Sequence, residues 1–132
     1  MYHEAIVRID NGEGKLESSV FLVKGAANCS DVERTIFDNI EDVDSVFMIR
    51  EKKIMEVFCE GVLEGINKFF IVDAVDIVVG SNGKEKNVIY KTVCQAPDSN
   101  KATEIVKSKL LQGYDMTIGN AIEAKWVRII NI

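Results

Sequence analysis

The stretch FFIVDAVDIVVGSNGKEKNVIYKTVCQAPDSN, residues 69–100, decides the fold class. Phe69 to Val79 is a β-rich run, Ser81-Asn82-Gly83-Lys84 supplies turn residues, and Val88 to Val93 resumes the run. Asn-Gly takes the positive φ angles of a tight turn at little steric cost, so the segment predicts a β-hairpin. Pro97-Asp98-Ser99-Asn100 then offers a φ-locked proline and several N-cap candidates. Ala102, Ile105, Val106 and Leu110 follow on one helical face, with Gly113 as a stop signal.

The same order of signals occurs in the first half. Ala5, Val7 and Ile9 alternate with Arg8 and Asp10, Asn11-Gly12-Glu13-Gly14 turns the chain, and Val20 to Val23 returns. Ser30-Asp31-Val32-Glu33 fits a capping box, so a helix is expected to begin there. Val32, Ile36 and Ile40, with Phe37 beside them, give that helix an apolar stripe facing a sheet. Each helix is followed by a strand, Val46 to Arg50 in the first half and Ala124 to Ile130 in the second. Ile54 to Cys59 adds one more. The expectation is an α+β fold in a single domain, 1–132, of two ββαβ-like halves, 1–60 and 66–132. They would form a mostly antiparallel sheet of about seven strands with two helices.

Two helices are too few to cover both faces of so wide a sheet, and strands such as Val46 to Ile49 carry apolar residues on both faces. A homo-oligomer is therefore expected, with barrel-like closure or stacked helices as the alternatives.

The composition, 132 residues with 47% hydrophobic and 28% charged side chains, is that of an ordinary globular chain. Cys29, Cys59 and Cys94 are widely spaced and His3 is the only histidine, so neither a zinc site nor a disulfide framework is expected. No metal or cofactor is called for. The amino end lacks a basic region followed by an apolar run, and Phe69 to Val79 is too short to span a bilayer as a helix. The expected setting is cytoplasmic, without membrane contact.

No catalytic residue stands out. His3, near the amino end, is expected to be a solvated residue starting an edge strand. Cys59 and Cys94 read as core residues, while Cys29 lies near a helix start, where the dipole favours a thiolate. Gly12-Glu13-Gly14-Lys15 and Gly80 to Lys84 are superficially like phosphate loops, but each joins two strands, and a phosphate cradle needs a helix start behind it.

Charge is uneven. Residues 1–66 hold 7 Lys and Arg against 14 Asp and Glu, whereas residues 67–132 hold 9 against 7. The acidic set Asp38, Glu41, Asp42 and Asp44 is a candidate docking surface for a basic partner. Lys84, Lys86, Lys91, Lys101, Lys107, Lys109 and Arg128 form a candidate patch for an anionic ligand, with Tyr90, Tyr114 and Trp126 as candidate stacking rings.

Met55-Glu56-Val57-Phe58, Lys68-Phe69-Phe70-Ile71-Val72, Gly83-Lys84-Glu85-Lys86, Val93-Cys94-Gln95-Ala96 and Lys101-Ala102 occur in an order that resembles an uncharacterised family of small proteins from gut bacteria and their phages. Phe21-Leu22-Val23 ahead of Ser30 to Glu33 is similar too, while Ala26-Ala27-Asn28-Cys29 departs from the more acidic, hydroxyl-bearing approach expected there. The resemblance implies an intracellular or phage-encoded setting and carries over no catalytic residue.

Three functions follow as expectations. The first is a non-enzymatic homo-oligomeric binding or accessory protein that engages another protein. The second is a single-stranded nucleic-acid binding protein, and the third a protein that binds a small nucleotide-like ligand.

Overall fold

The structure is a computed structural model that describes residues 1–58, 68–110 and 116–132. Cys59, Gly113 and Tyr114 lie outside the described residues. The chain is α+β, and its described residues form two helices and eight strands in two four-stranded sheets.

The first compact unit comprises Met1–Lys53 and Lys125–Ile132. Strands β1 (Tyr2–Asp10) and β2 (Leu16–Lys24) form an antiparallel hairpin. Gly12 and Gly14 carry the turn at φ 82° and 77°, a left-handed geometry that glycine adopts without a Cβ clash. Helix α1 (Cys29–Asn39) follows, and then β3 (Val43–Lys52) pairs antiparallel with β1. Near the carboxyl end, β8 (Trp126–Asn131) runs parallel to β2, giving the order β3-β1-β2-β8.

The second unit, Ile54–Ala124, repeats this plan. β5 (Phe69–Val79) and β6 (Glu85–Gln95) form the hairpin, and α2 (Ser99–Leu110) follows. β7 (Thr117–Ala124) pairs antiparallel with β5, and β4 (Glu56–Phe58) lies parallel to β6, giving β4-β6-β5-β7. Each half thus supplies a hairpin, a helix and a third strand to its own sheet and donates its fourth strand to the other.

The expected single sheet of about seven strands is corrected to two sheets of four, for a reason of width. A helix is about 10–12 Å across and strands are spaced about 4.8 Å apart, so one helix covers two or three strands and two helices would leave part of one face and all of the other face of a seven-stranded sheet bare. With one helix per sheet, each core closes separately. Ala5, Val7, Phe21, Val23 and Ile130 meet Val32 and Ile36 of α1. Phe70, Val72, Ala74 and Cys94 meet Ala102, Val106 and Leu110 of α2. The strand residues alternate and the helix residues recur every fourth position, as both periodicities require. Phe37, expected beside the stripe, is instead 48% exposed.

Three local expectations are also corrected. Helix α1 is capped by Asn28, not Ser30: the Asn28 side chain accepts the Asp31 N–H at 2.9 Å, and the Asp31 carboxylate accepts the Ala27 N–H at 3.2 Å. The first bond satisfies a helix-end donor, the second ties the residue ahead of the cap to the first turn, and the helix starts earlier than expected. The single strand expected over Ala124 to Ile130 is two strands broken at Lys125, with Ala124 beside Phe69 and Trp126 beside Val20. His3 is buried, because β1 is an inner strand between β3 and β2, and its Nδ1 finds no hydrogen-bond partner among the described residues.

Candidate functional site

The outer half of the β5–β6 hairpin stands apart from the strands that flank its base. β7 accompanies β5 only as far as Val75, and β4 accompanies β6 only along Thr92–Cys94, with the Met55 N–H on the Lys91 carbonyl. Beyond those points Asp76–Val79 and Glu85–Val88 pair only with each other among the described residues, and Ile89 lies opposite Val75 at the end of the β7 pairing. The turn is closed by the Gly80 N–H on the Lys84 carbonyl at 2.9 Å, with Gly83 at φ 76°. Ile77 and Val79 lie on the same face as Ile89, and Val78 lies on the other, because side chains alternate along a strand. Ile77 is 58% exposed, Val79 65% and Ile89 56%. A two-stranded ribbon with apolar side chains on both faces and open edges is marginal alone and readily pairs with another chain.

The cations singled out from the sequence do not share one surface. Lys84 sits at the hairpin turn, Lys86 lies opposite Val78, and Lys91 lies opposite Asp73, so Lys86 and Lys91 point to opposite faces of their sheet. Lys91 is held by Asp73 at 2.6 Å. Lys101 is near Glu104 at 3.5 Å, while Lys107 and Lys109 occupy the last turn of α2, where the helix dipole favours cations. Arg128 belongs to β8, in the other sheet.

The rings are equally dispersed. Tyr90 is half-buried and packs against the cluster beneath α2. Trp126 is 3% exposed and donates its indole N–H to Glu4 at 2.8 Å, so its faces are not open for stacking. The acidic residues, by contrast, are brought together. Asp38, Glu41 and Asp42, with Phe37, Ile40 and Val43, line a shallow depression of about 570 Å³, and Asp44 follows in β3. Asp42 adopts φ 59°, and its carbonyl accepts the Asp10 N–H at 2.9 Å, which fixes this turn against the end of β1.

The sequence offered no hint of an arrangement on the first sheet. On the face of β1 away from α1, Tyr2 lies between Lys24 of β2 and Lys52 of β3, and Glu4 lies opposite Arg50. The Lys24 ammonium is 5.9 Å from the centre of the Tyr2 ring, and the Arg8 guanidinium is 4.5 Å from that of Phe47. Phe47 reaches Arg8 because a bulge in β3 shifts the pairing between Ile6 and Val7. Only the register of three strands assembles this set, so periodicity alone had no means of finding it.

Among the described residues no group of His, Cys, Asp and Glu is placed to hold a metal ion. Cys29 is exposed at the first position of α1, and Cys94 is buried. No described helix is long and apolar enough to cross a membrane.

Comparison with curated proteins and with solved structures gives no match. A family model does match, over residues 2–132. The chain belongs to the family described as Domain of unknown function (DUF4494).

Proposed function

We propose that this protein is a non-enzymatic binding protein that works as a homo-oligomer, with the β5–β6 arm as its assembly element. The observation that carries this reading is the arm itself, which exposes Ile77, Val78 and Val79 beyond its flanking strands and Ile89 at its base. Exposed apolar groups at open strand edges are a liability unless a partner covers them. A second copy supplies an identical ribbon, and like pairing with like gives the closed twofold assembly most common among homo-oligomers. In the assembled form, the acidic depression around Asp38, Glu41 and Asp42 is the surface offered to a basic segment of another protein. The resemblance to small proteins of gut bacteria and their phages supports a cytoplasmic accessory role, in the cell or encoded by a phage.

Light scattering across protein concentration tests the reading. The expected mass is a multiple of 14.7 kDa, falling to 14.7 kDa for the Ile77→Asp, Ile89→Asp double variant with no loss of helix or sheet signal. A parent protein that stays at 14.7 kDa at high concentration in both low and high salt overturns it.

A further inference from the structure

We infer that two copies of the chain join edge to edge along β5 of their arms, running antiparallel, with Val78 of one copy opposite Val78 of the other. The inference rests on the homo-oligomer proposed above and adds the edge, the register and the atoms that bond.

The register of the hairpin fixes which backbone groups face outward. β5 and β6 pair without a bulge from Phe69 opposite Gln95 to Val79 opposite Glu85. Along an antiparallel pair, opposed residues alternate between exchanging hydrogen bonds and exchanging none, and those that exchange none turn their N–H and C=O groups to the other side. Gly80 donates to the Lys84 carbonyl, so the even-numbered residues of β5 bond across to β6 and the odd-numbered ones face the β7 side. The Thr117 hydroxyl, 3.5 Å from the Val75 carbonyl, agrees with that assignment. β7 ends opposite Val75, so among the described residues nothing pairs with the outward groups of Ile77 and Val79.

A second copy satisfies this edge in one register. In a twofold antiparallel pair centred on Val78, Ile77 of each copy stands opposite Val79 of the other, and both residues face outward, so every one of these N–H and C=O groups finds a partner. A centre at Ile77 would set Val79 against Val75, which β7 already holds, and a centre at Val79 would set Ile77 against Ser81 in the turn. With Val78 at the centre, Gly80 of the second copy falls opposite Asp76, and the added strand stops one residue short of Thr117. The side chains agree with the backbone. Ile77 meets Val79 on one face, Val78 meets its own counterpart on the other, and all three are exposed in the single chain. No charge lies between Asp76 and Gly80. The β6 edge of the arm carries Glu85 and Lys86, charges of the kind that blunt an edge, and a twofold centre at either would oppose it to itself.

Cysteine pairing under air oxidation, read by non-reducing electrophoresis, tests the register in the full chain carrying Cys29→Ser and Cys59→Ser, Cys94 being buried. Val78→Cys sets two thiols in a non-hydrogen-bonded pair with Cα atoms about 4.5 Å apart, within the range of about 4.4–6.8 Å that a disulfide bridges, and should give a covalent dimer. Ile77→Cys and Val79→Cys should each fail to cross-link alone, because like residues stand diagonally about 7–8 Å apart, and should cross-link when the two proteins are mixed. Without oxidation, Val79→Pro removes an N–H that the hairpin does not use, so it should raise the dimer dissociation constant about tenfold beyond Val79→Ala with unchanged sheet signal. Cross-linking of Ile77→Cys alone, or of Asn87→Cys on the β6 edge in place of Val78→Cys, overturns the inference and leaves the homo-oligomer standing. A Val79→Pro protein that associates as tightly as Val79→Ala does the same. A parent protein at 14.7 kDa at every concentration removes the homo-oligomer itself, and the inference with it.

Discussion

Replacing Glu4 with alanine tests the most telling junction in the fold, where β1 at the amino end meets β8 at the carboxyl end. The Glu4 carboxylate accepts the Trp126 indole N–H at 2.8 Å across a sequence separation of 122 residues, and Trp126 is nearly fully buried. Removing the acceptor leaves that N–H facing protein instead of water. An orphaned buried donor costs about 1–3 kcal/mol. The Lys52 contact at 4.0 Å is partly solvated and contributes about 0–1 kcal/mol at most. The expected loss is therefore about 2 kcal/mol, a large share of the roughly 5–15 kcal/mol that stabilises a typical domain. Trp126 is the only tryptophan, so urea unfolding followed by its emission reports on this sheet directly. With a urea slope of about 1–3 kcal/mol/M the midpoint should fall by about 1 M, and Glu4→Gln, which keeps an acceptor, should recover more than half of the loss. A Glu4→Ala protein within about 0.5 kcal/mol of the parent, with unchanged emission, would refute both the hydrogen bond and the placement of β8 beside β2.

Asn28→Ala and Asp98→Ala, which remove the side-chain caps of α1 and α2, should each cost about 1 kcal/mol by thermal or urea unfolding. Because the two caps lie in different units, the double variant should cost the sum to within about 0.5 kcal/mol. Ile36→Ala should cost about 2–5 kcal/mol, since Ile36 is fully buried among Val7, Phe21 and Val32. The adjacent Phe37→Ala should cost far less, because nearly half of that side chain is already in water, and comparable losses at the two positions would contradict the assigned face of α1.

The parts of the fold legible in the sequence are those governed by local periodicity. Alternation at Ala5, Val7 and Ile9, the Asn82-Gly83 turn, and the fourfold spacing of Ala102, Val106 and Leu110 each appear in the structure on the face expected. What periodicity does not encode is which strand lies beside which, so the division into two sheets was hidden. β7 was hidden for a different reason. Gly119, Asn120 and Glu123 dilute its β-signal, and Gly119 is there because a Cβ would stand 3.2 Å from that of Asp73. The candidate site suffered from counting charge by half. That count drew attention to the lysines of the second half, which point different ways, and away from Arg8, Lys24, Arg50 and Lys52. Those four are scattered along an acidic segment and meet only through strand register. The acidic cluster was legible because Asp38 to Asp44 are neighbours in sequence and share one turn.

The exchange of fourth strands follows from the length of the links that precede them. β7 lies at the far edge of its sheet from β6, and β8 begins after a single residue, Lys125. To lie beside β6 in its own sheet, β8 would have to pass β5 and β6, three strand spacings or about 14 Å, whereas the two steps from Ala124 to Trp126 reach about 7 Å. It pairs instead with the edge of β2 in the other sheet. The same constraint acts on β3 and β4, which are joined by Lys53 to Met55 and face the same crossing. A hairpin-type connection also has no means of making a parallel pair, and both exchanged strands run parallel to their new neighbours. Short links and parallel pairing therefore leave each sheet incomplete until the other half of the chain has been made. The first unit is then built from both ends of the sequence, and a lesion at Trp126 should unsettle β1 and β2 although more than a hundred residues separate them.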